Sequence, residues 1–179
     1  MIQDAWRIIG ERPLAGVVRP SGSKNGALPV LAAALLLDGA SVLHNVPRIA
    51  DVRTMVALLR ALGAAVSERP DGAVEVLSNG PSSDRAPTDL VPRMRASHYL
   101  LSPMLLRLGR ADMAWPGGCD LGTRPMTHII SVFEALGAKA EVSDRGIALS
   151  AQRLRGERRL RGGVVTLDPR HRKIGRAHV

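Results

Sequence analysis

The chain has 179 residues, of which 45% are hydrophobic and only 2% aromatic, and its formal net charge is +9. This length and composition fit roughly one domain with an aliphatic core. The longest apolar run, residues 27–37, is shorter than the roughly 20 residues of a membrane-spanning helix, and the start, MIQDAWRIIG, has no apolar segment typical of a secretory signal. We therefore expect a cytoplasmic protein that does not enter a membrane.

The cysteines, histidines and charged residues exclude or disfavour further classes of site: disulfides, metal centres and nucleic-acid interfaces. A single cysteine, Cys119, excludes an internal disulfide and fits a reducing compartment. The five histidines are scattered and show no zinc-site spacing, so we expect no metal and no cofactor. Residues 151–179 hold nine Lys and Arg against two acidic residues, whereas the rest holds sixteen against fourteen. Because no aromatic side chains are interleaved for base stacking, we interpret this tail as solvated surface, and nucleic-acid binding is not favoured.

The first elements lie before residue 40. Residues 7–22, RIIGERPLAGVVRPSG, have the pattern of a strand, a turn and a second strand. The small residues 21–23 then lead into an apolar helix that begins near Lys24 or Asn25, with Pro29 in its first turn, where proline is tolerated. Free backbone N–H groups and a lysine at a helix start predict an anion site, and a capped helix with an exposed lysine is the alternative.

The rest of the chain contains two similar units. Residues 52–77 and 127–150 share the sequence ALGA, apolar residues at helical spacing, a glycine at the helix end, and two strands joined by a tight turn. Upstream, residues 34–47 resemble residues 104–117. Each unit of about 70 residues therefore predicts helix, strand, loop, helix, strand, turn, strand, and the two units are expected to bury a shared core.

The cysteine lies on an insertion between these units. The offset grows from 70 to 74 between Pro116 and Thr127, so four extra residues fall in the stretch GGCD. Packing alone does not require them. Arg124 and the start of the next helix both favour a thiolate at Cys119. We therefore predict a functional cysteine; a small buried hydrophobic residue is the alternative.

Two further candidate cations, Arg93 and Arg95, lie in residues 90–109, LVPRMRASHYLLSPMLLRLG. Pro92 fits the first position of a helix. Arg93 and Arg95 then stand at the start of that helix, where Lys24 stands in the first unit. Arg93 is interpreted as a surface arginine, and Arg95 as a candidate site residue.

Four segments, GSKNGALPVLAAALL, NVPRIADVRTM, MRAS and PGGCDLGTRP, together closely resemble the enolpyruvyl transferases, in particular the branch that acts on UDP-N-acetylglucosamine. The resemblance runs from about residue 5 to about residue 168. It implies an α/β (α+β) fold, an inside-out α/β barrel domain built from three βαβαββ-type modules, in a protein of two such domains. On this basis residues 1–20 would pack on the second domain, and residues 21–173 would form a truncated domain with about two of the three repeats. The last six residues, IGRAHV, match a reading frame of a common sequencing adaptor, so we expect residues 174–179 to be read-through.

The resemblance also implies a reaction and its residues. The 3-hydroxyl of UDP-N-acetylglucosamine adds to C2 of phosphoenolpyruvate, C3 is protonated and phosphate leaves, which is the first committed step of peptidoglycan synthesis. Cys119 would act as general acid or assist product release, would be alkylated by fosfomycin, and would lie on a loop whose two glycines let it close over the site. The residues implied for phosphoenolpyruvate are Lys24, Asn25, Cys119 and Arg124. Those implied for the UDP-sugar are Arg95, Arg124, Pro125, Met126, Thr127 and His128.

Two positions depart from the family pattern. The family commonly has an aspartate, which reads the uracil edge, where this chain has Thr127, and an aliphatic residue where it has His128. Another uridine nucleotide is therefore an alternative acceptor, whereas the shikimate-pathway relatives fit less well because they lack the cysteine loop. Asp51 matches a common family aspartate and is either a helix N-cap or a catalytic group. The alternative from another class of function is a non-catalytic module that binds an anionic nucleotide.

Overall fold

The computed structural model of the protein describes residues 7, 9–10, 13–118, 125–151 and 160. Cys119, Arg124 and residues 161–179 lie outside the described residues, so the predictions made for them stay predictions. None of the described helices is long and apolar enough to cross a membrane.

Both units have the predicted order of elements. The first consists of α1 (Lys24–Ala33) with a 3-10 turn (Ala34–Leu36), β1 (Asp38–Leu43), α2 (Ala50–Ala61), β2 (Ala65–Glu68) and β3 (Val74–Asn79). The second consists of two 3-10 turns (Val91–Arg93 and Arg95–Leu100), α3 (Leu101–Leu108), β4 (Arg110–Ala114), α4 (Thr127–Ala135), β5 (Lys139–Ser143) and β6 (Gly146–Ser150). The repeat inferred from the sequence is therefore confirmed.

Each unit forms a three-stranded antiparallel sheet with its last strand in the middle. The strand orders are β1-β3-β2 and β4-β6-β5. The second helix of each unit ends in the same way, at Gly63 and Gly137, with φ angles of 96° and 98°. Because these left-handed conformations are costly for side chains with a Cβ, the glycine of each ALGA motif ends its helix and directs the chain into the next strand.

Aliphatic side chains of both units form one shared core. In α2 the predicted face is fully buried, since Met55, Leu58 and Leu59 are inaccessible to solvent. Alpha helix α1 packs on α2 and on the turn at Arg95–Leu100, which places the starts of both units side by side. In α4 the buried side chains are Ile130 and Phe133.

Hydrogen bonds also join the two units. Residues 84–86 run parallel to β4: the N–H of Asp112 donates to the carbonyl of Asp84 at 2.6 Å, and the N–H of Ala86 donates to the carbonyl of Asp112 at 2.9 Å. In addition, the guanidinium of Arg107 on α3 donates to the carbonyl of Asn79 at 2.9 Å. The segment that leaves the first unit thus forms an isolated parallel bridge to β4 of the second unit.

Three predictions about secondary structure are wrong. The described residues between 7 and 22 form no strand, because no neighbouring strand in the described part of the chain pairs with them, and Leu14 is 99% exposed. Helix α1 begins at Lys24 as predicted, but Pro29 is its sixth residue and lies in the second turn. There Pro29 has no N–H to donate to the carbonyl one turn earlier.

The third wrong prediction concerns the single helix beginning near Pro92. Two 3-10 turns occupy residues 91–100, separated by the extended Met94, and the α-helix begins only at Leu101. The buried hydroxyl of Ser97 explains the break. It lies 3.0 Å from the carbonyl of Val91 and 2.7 Å from that of Met94, so it satisfies groups that a continuous helix would satisfy through its backbone.

Candidate functional site

The start of α1 is held in a fixed position. The hydroxyl of Ser23 caps the helix by accepting from the N–H of Gly26 at 3.2 Å. Just before it, a Cβ at Gly22 would lie 1.6 Å from the carbonyl oxygen of Asn45, so this crossing with the loop after β1 requires glycine. Lys24 and Asn25 therefore begin a capped helix whose position is set by close backbone contact.

Asp51 pairs with Lys24 across the two helix starts. The Nζ atom of Lys24 lies 3.1 Å from Oδ2 of Asp51. The interpretation of Asp51 as a helix N-cap is wrong, since Ile49 holds that position and Asp51 is the second residue of α2. Its carboxylate pairs with Lys24 at the start of the neighbouring helix α1.

The start of α1 and the 3-10 turn at Arg95–Leu100 line one open cleft of about 530 Å³, called the anion cleft below. The first unit contributes Lys24, Asn25 and Asp51 to its lining; the second contributes Arg93, Arg95, His98, Tyr99 and Gly118. Arg93 donates to the carbonyl of Asp89 at 2.9 Å, in keeping with its interpretation as a surface arginine. The structure thus brings Lys24, Asn25, Asp51 and Arg95 together, with cations outnumbering carboxylates, as a site for an anion requires.

The loop that carries Cys119 leaves the described part of the chain beside Arg95. A Cβ at Gly117 would lie 1.8 Å from the carbonyl oxygen of Pro92, and one at Gly118 would lie 3.0 Å from the backbone nitrogen of Arg95. Gly118 also has a φ of 101°. Gly117 and Gly118 are therefore required for close packing at the cleft. The sequence analysis expected them only to let the loop close over the site.

The residues implied for the UDP-sugar are divided among three clefts. Pro125, Met126 and Thr127 line a cleft of about 620 Å³ beside Trp115. His128 lines another, of about 450 Å³, and Arg95 lines the anion cleft. Met126 is buried and belongs to the hydrophobic core, whereas Thr127 is exposed at the start of α4.

Sequence reasoning missed His98, which lines both the anion cleft and the cleft of His128. Its Nδ1 lies 2.8 Å from the carbonyl oxygen of Arg95. Burial lowers the pKa of His98, as do the charges of Arg95 and His128, while the bond to the Arg95 carbonyl opposes them. The imidazole is therefore neutral at pH 7. The signal that could have revealed it is the i, i+3 spacing from Arg95, which brings side chains together on a 3-10 turn.

The described residues contain no group of three or more His, Cys, Asp or Glu side chains that could hold a metal ion. A separate cationic cleft of about 400 Å³ lies between α2 and the β2–β3 hairpin, where Arg48, Arg53 and Arg60 contribute to its lining. It contains none of the residues predicted for the site.

Comparisons with known proteins show the family of the chain. The family model described as EPSP synthase (3-phosphoshikimate 1-carboxyvinyltransferase) matches residues 8–168. A UDP-N-acetylglucosamine 1-carboxyvinyltransferase of Sorangium cellulosum is 47% identical over 153 residues, covering 86% of this chain and 36% of that protein. One of Cellvibrio japonicus is 44% identical over 165 residues, covering 92% and 38%. The chain therefore spans little more than a third of the length of these relatives.

Solved structures show the same fold. The enolpyruvyl transferase NikO from Streptomyces tendae is 29% identical, with a TM-score of 0.67 over 79% of this chain and 31% of that one. EPSP synthase from Acinetobacter baumannii is 18% identical, with a TM-score of 0.52 over 73% and 30%, and supports the fold alone. The predicted α/β class is thereby confirmed, although the described residues form two open sheets and no closed barrel. The chain belongs to the EPSP synthase family of enolpyruvyl transferases.

Proposed function

We propose that this chain forms the phosphoenolpyruvate-binding side of an enolpyruvyl transferase. The reaction transfers the enolpyruvyl group to the 3-hydroxyl of UDP-N-acetylglucosamine and releases phosphate, in cytoplasmic peptidoglycan synthesis. The observation that carries the proposal is the meeting of Lys24 and Arg95, from equivalent positions of two repeated units, in one cleft. The loop of Cys119 begins at the edge of that cleft, at Gly118.

Charge explains how this cleft would serve the reaction. Phosphoenolpyruvate carries a phosphate and a carboxylate, and negative charge is redistributed as phosphate leaves. Lys24 and Arg95 would neutralise that charge, together with Arg124, and the side-chain amide of Asn25 would orient the substrate. Because these cations lie on packed elements of the fold, they need little reorganisation during the reaction. Charges that are already in place lower the free energy of the transition state, and this raises the rate.

Cys119 is proposed to act as the general acid that protonates C3, or to assist product release. Support comes from its neighbourhood: the loop leaves Gly118 in contact with the backbone of Arg95. A cysteine close to cations is ionised more readily and is therefore more reactive. We accordingly propose that fosfomycin alkylates Cys119.

The acceptor is proposed to be UDP-N-acetylglucosamine, because several relatives at 42–47% identity are named as carboxyvinyltransferases of that sugar nucleotide. A different uridine nucleotide is the second candidate. One observation favours it: Thr127 exposes a hydroxyl rather than a carboxylate at the start of α4.

We further propose that a second domain completes the site. The chain spans 36% and 38% of two relatives. The base that deprotonates the sugar hydroxyl, an aspartate in the family, and a further arginine have no counterpart assigned in this chain. The 179-residue chain alone is therefore expected to release no phosphate from phosphoenolpyruvate.

A hybrid enzyme tests the proposal. In it, this chain replaces the aligned segment of the Sorangium cellulosum relative, and phosphate release is measured with UDP-N-acetylglucosamine, uridine monophosphate or shikimate 3-phosphate as acceptor. We expect turnover with UDP-N-acetylglucosamine, lost in the matched Cys119→Ala hybrid. Turnover only with uridine monophosphate would establish the second candidate. A hybrid that folds, as judged by circular dichroism, but turns over none of the acceptors would contradict both.

A further inference from the structure

His98 lies between two clefts and borders both of them. The family resemblance assigns it no role. It forms part of the lining of the anion cleft with Lys24 and Arg95, and of the neighbouring cleft with His128 and Phe133. Its ring packs on that of Tyr99, with centroids 4.4 Å apart. The side chain is thus held in place while it borders both spaces.

The hydrogen bond of His98 determines its chemical state. Its Nδ1 lies 2.8 Å from the carbonyl oxygen of Arg95. Because a carbonyl only accepts, Nδ1 must carry the proton, and in a neutral ring Nε2 is then the acceptor. Burial and the charges of Arg95 and His128 disfavour a second proton.

Arg95 is consequently fixed from two sides. Its carbonyl accepts from His98. On the other side, its backbone nitrogen and Cβ lie so close to Gly118 that a Cβ added to that glycine would stand 3.0 Å and 3.3 Å from them. A shift of the Arg95 backbone would therefore move both a cation of the anion cleft and the point at which the Cys119 loop begins.

We propose that His98 is a positioning residue for Arg95, which acts through its Nδ1–H to fix both the cation of the anion cleft and the start of the Cys119 loop. The identity of the anion as phosphoenolpyruvate rests on the proposed function; the anchoring of Arg95 does not. The expected consequence is that loss of the Nδ1 donor weakens anion binding and disturbs Gly118, although the protein stays folded.

Three substitutions separate the roles of the two ring nitrogens. His98→Asn keeps an N–H donor near the position of Nδ1, His98→Gln keeps a polar group near that of Nε2, and His98→Leu keeps neither. Calorimetric titration of the 179-residue chain with phosphoenolpyruvate, and with inorganic phosphate, gives the affinities. We expect a loss of about five- to tenfold for Leu and Gln, the worth of one hydrogen bond, and a change of less than about twofold for Asn.

Nuclear magnetic resonance supplies a readout that does not depend on the ligand. Imidazole ¹⁵N shifts are expected to show the Nδ1–H tautomer, and the amide signals of Arg95 and Gly118 should move in His98→Leu but stay near their wild-type positions in His98→Asn. If wild type bound neither anion, the proposed function would fail while these shifts still tested the anchoring. An Nε2–H tautomer, or equal shifts in the Asn and Leu variants, would overturn the positioning role.

Discussion

The Nζ atom of Lys24 and Oδ2 of Asp51 form an ion pair at 3.1 Å, and both residues line the anion cleft. The pair joins the first residue of α1 to the second residue of α2. Its side chains are 51% and 34% exposed, so solvent screens the pair and its net contribution is at most about 1 kcal/mol. Asp51 therefore competes weakly with any anion for Lys24.

Replacement of Asp51 by Asn should tighten the binding of phosphoenolpyruvate by about two- to fivefold, because the competing carboxylate is removed. Lys24→Met should weaken it by more than that. Asp144→Asn is the matched control: it makes the same change in net charge, but at an exposed carboxylate in the β5–β6 turn, outside the anion cleft. Calorimetric titration of the four proteins measures the effect. Weaker binding in Asp51→Asn would instead show that Asp51 positions Lys24.

Replacement of Gly118 by Ala should disturb the Cys119 loop. Gly118 and Gly39 both have left-handed φ angles, of 101° and 96°. A Cβ at Gly118 would meet the backbone of Arg95, whereas one at Gly39 would meet nothing within 4 Å. Both Ala variants should lose about 1–2 kcal/mol in the free energy of unfolding, from backbone strain. Only Gly118→Ala should change the rate at which iodoacetamide alkylates Cys119, and an equal change in Gly39→Ala would speak against the contact.

Replacement of Arg107 by Ala should lower the free energy of unfolding more than replacement of an exposed arginine does. Its guanidinium contacts the carboxylate of Asp38 and the carbonyl of Asn79, and so joins the helix of one unit to the sheet of the other. We expect Arg107→Ala to lower the free energy of unfolding by about 2–3 kcal/mol. Arg48→Ala, at a pair with Glu68 in which the arginine is 78% exposed, should cost less than about 1 kcal/mol. Urea denaturation compares the two, and similar losses would contradict the joining role.

Stability should depend on pH through His98. Because its pKa in the folded protein lies below the ordinary 6.5, the unfolded chain binds the proton more readily. The contribution of neutral His98 is therefore complete above about pH 6.5 and is lost as the pH falls through the lowered pKa. Arg95 and His128 are the charged groups that act on the ring. Denaturation from pH 7.5 to 5 should show a shallower loss of stability in His98→Asn than in wild type, with His44→Asn, at an exposed histidine, as the control. An identical slope in His98→Asn and wild type would contradict this prediction.

Fosfomycin should label this protein at one position. Cys119 is the single cysteine of this chain, so an adduct that is present in the hybrid enzyme and absent from its Cys119→Ala variant reports the site. We expect one adduct per chain in the hybrid enzyme and none in Cys119→Ala. Arg48→Ala, at an arginine that pairs with Glu68 outside the anion cleft, is the control that should leave labelling intact. Labelling that persists without Cys119 would rule out the proposed nucleophile.

Local signals explain what the sequence predicted. The order of elements and the helix ends at Gly63 and Gly137 follow from apolar periodicity and glycine chemistry, which act within a few residues. The strands expected before Lys24 failed because a strand needs a partner. The break at residues 91–100 depends on the hydroxyl of Ser97, whose two carbonyl partners no periodicity reveals.

Part of the candidate site was also predicted from the sequence. The cations Lys24 and Arg95 were found because the repeat aligned their positions. The other features of the site depend on tertiary packing. It turned Asp51 toward Lys24, placed His128 in a different cleft from Thr127, and gave His98 a position that only the contact between its turn and the neighbouring helices creates.

The most direct test of the central claim is a titration of the ¹⁵N-labelled chain with phosphoenolpyruvate, followed by amide signals. The account predicts that Lys24, Asn25, Arg95 and Gly118 shift together and saturate with one dissociation constant. It also predicts that the arginines of the cleft between α2 and the β2–β3 hairpin do not respond. Shifts confined to that other cleft, or no shifts in a folded chain, would contradict the claim that the start of α1 and the 3-10 turn of Arg95 form the anion site.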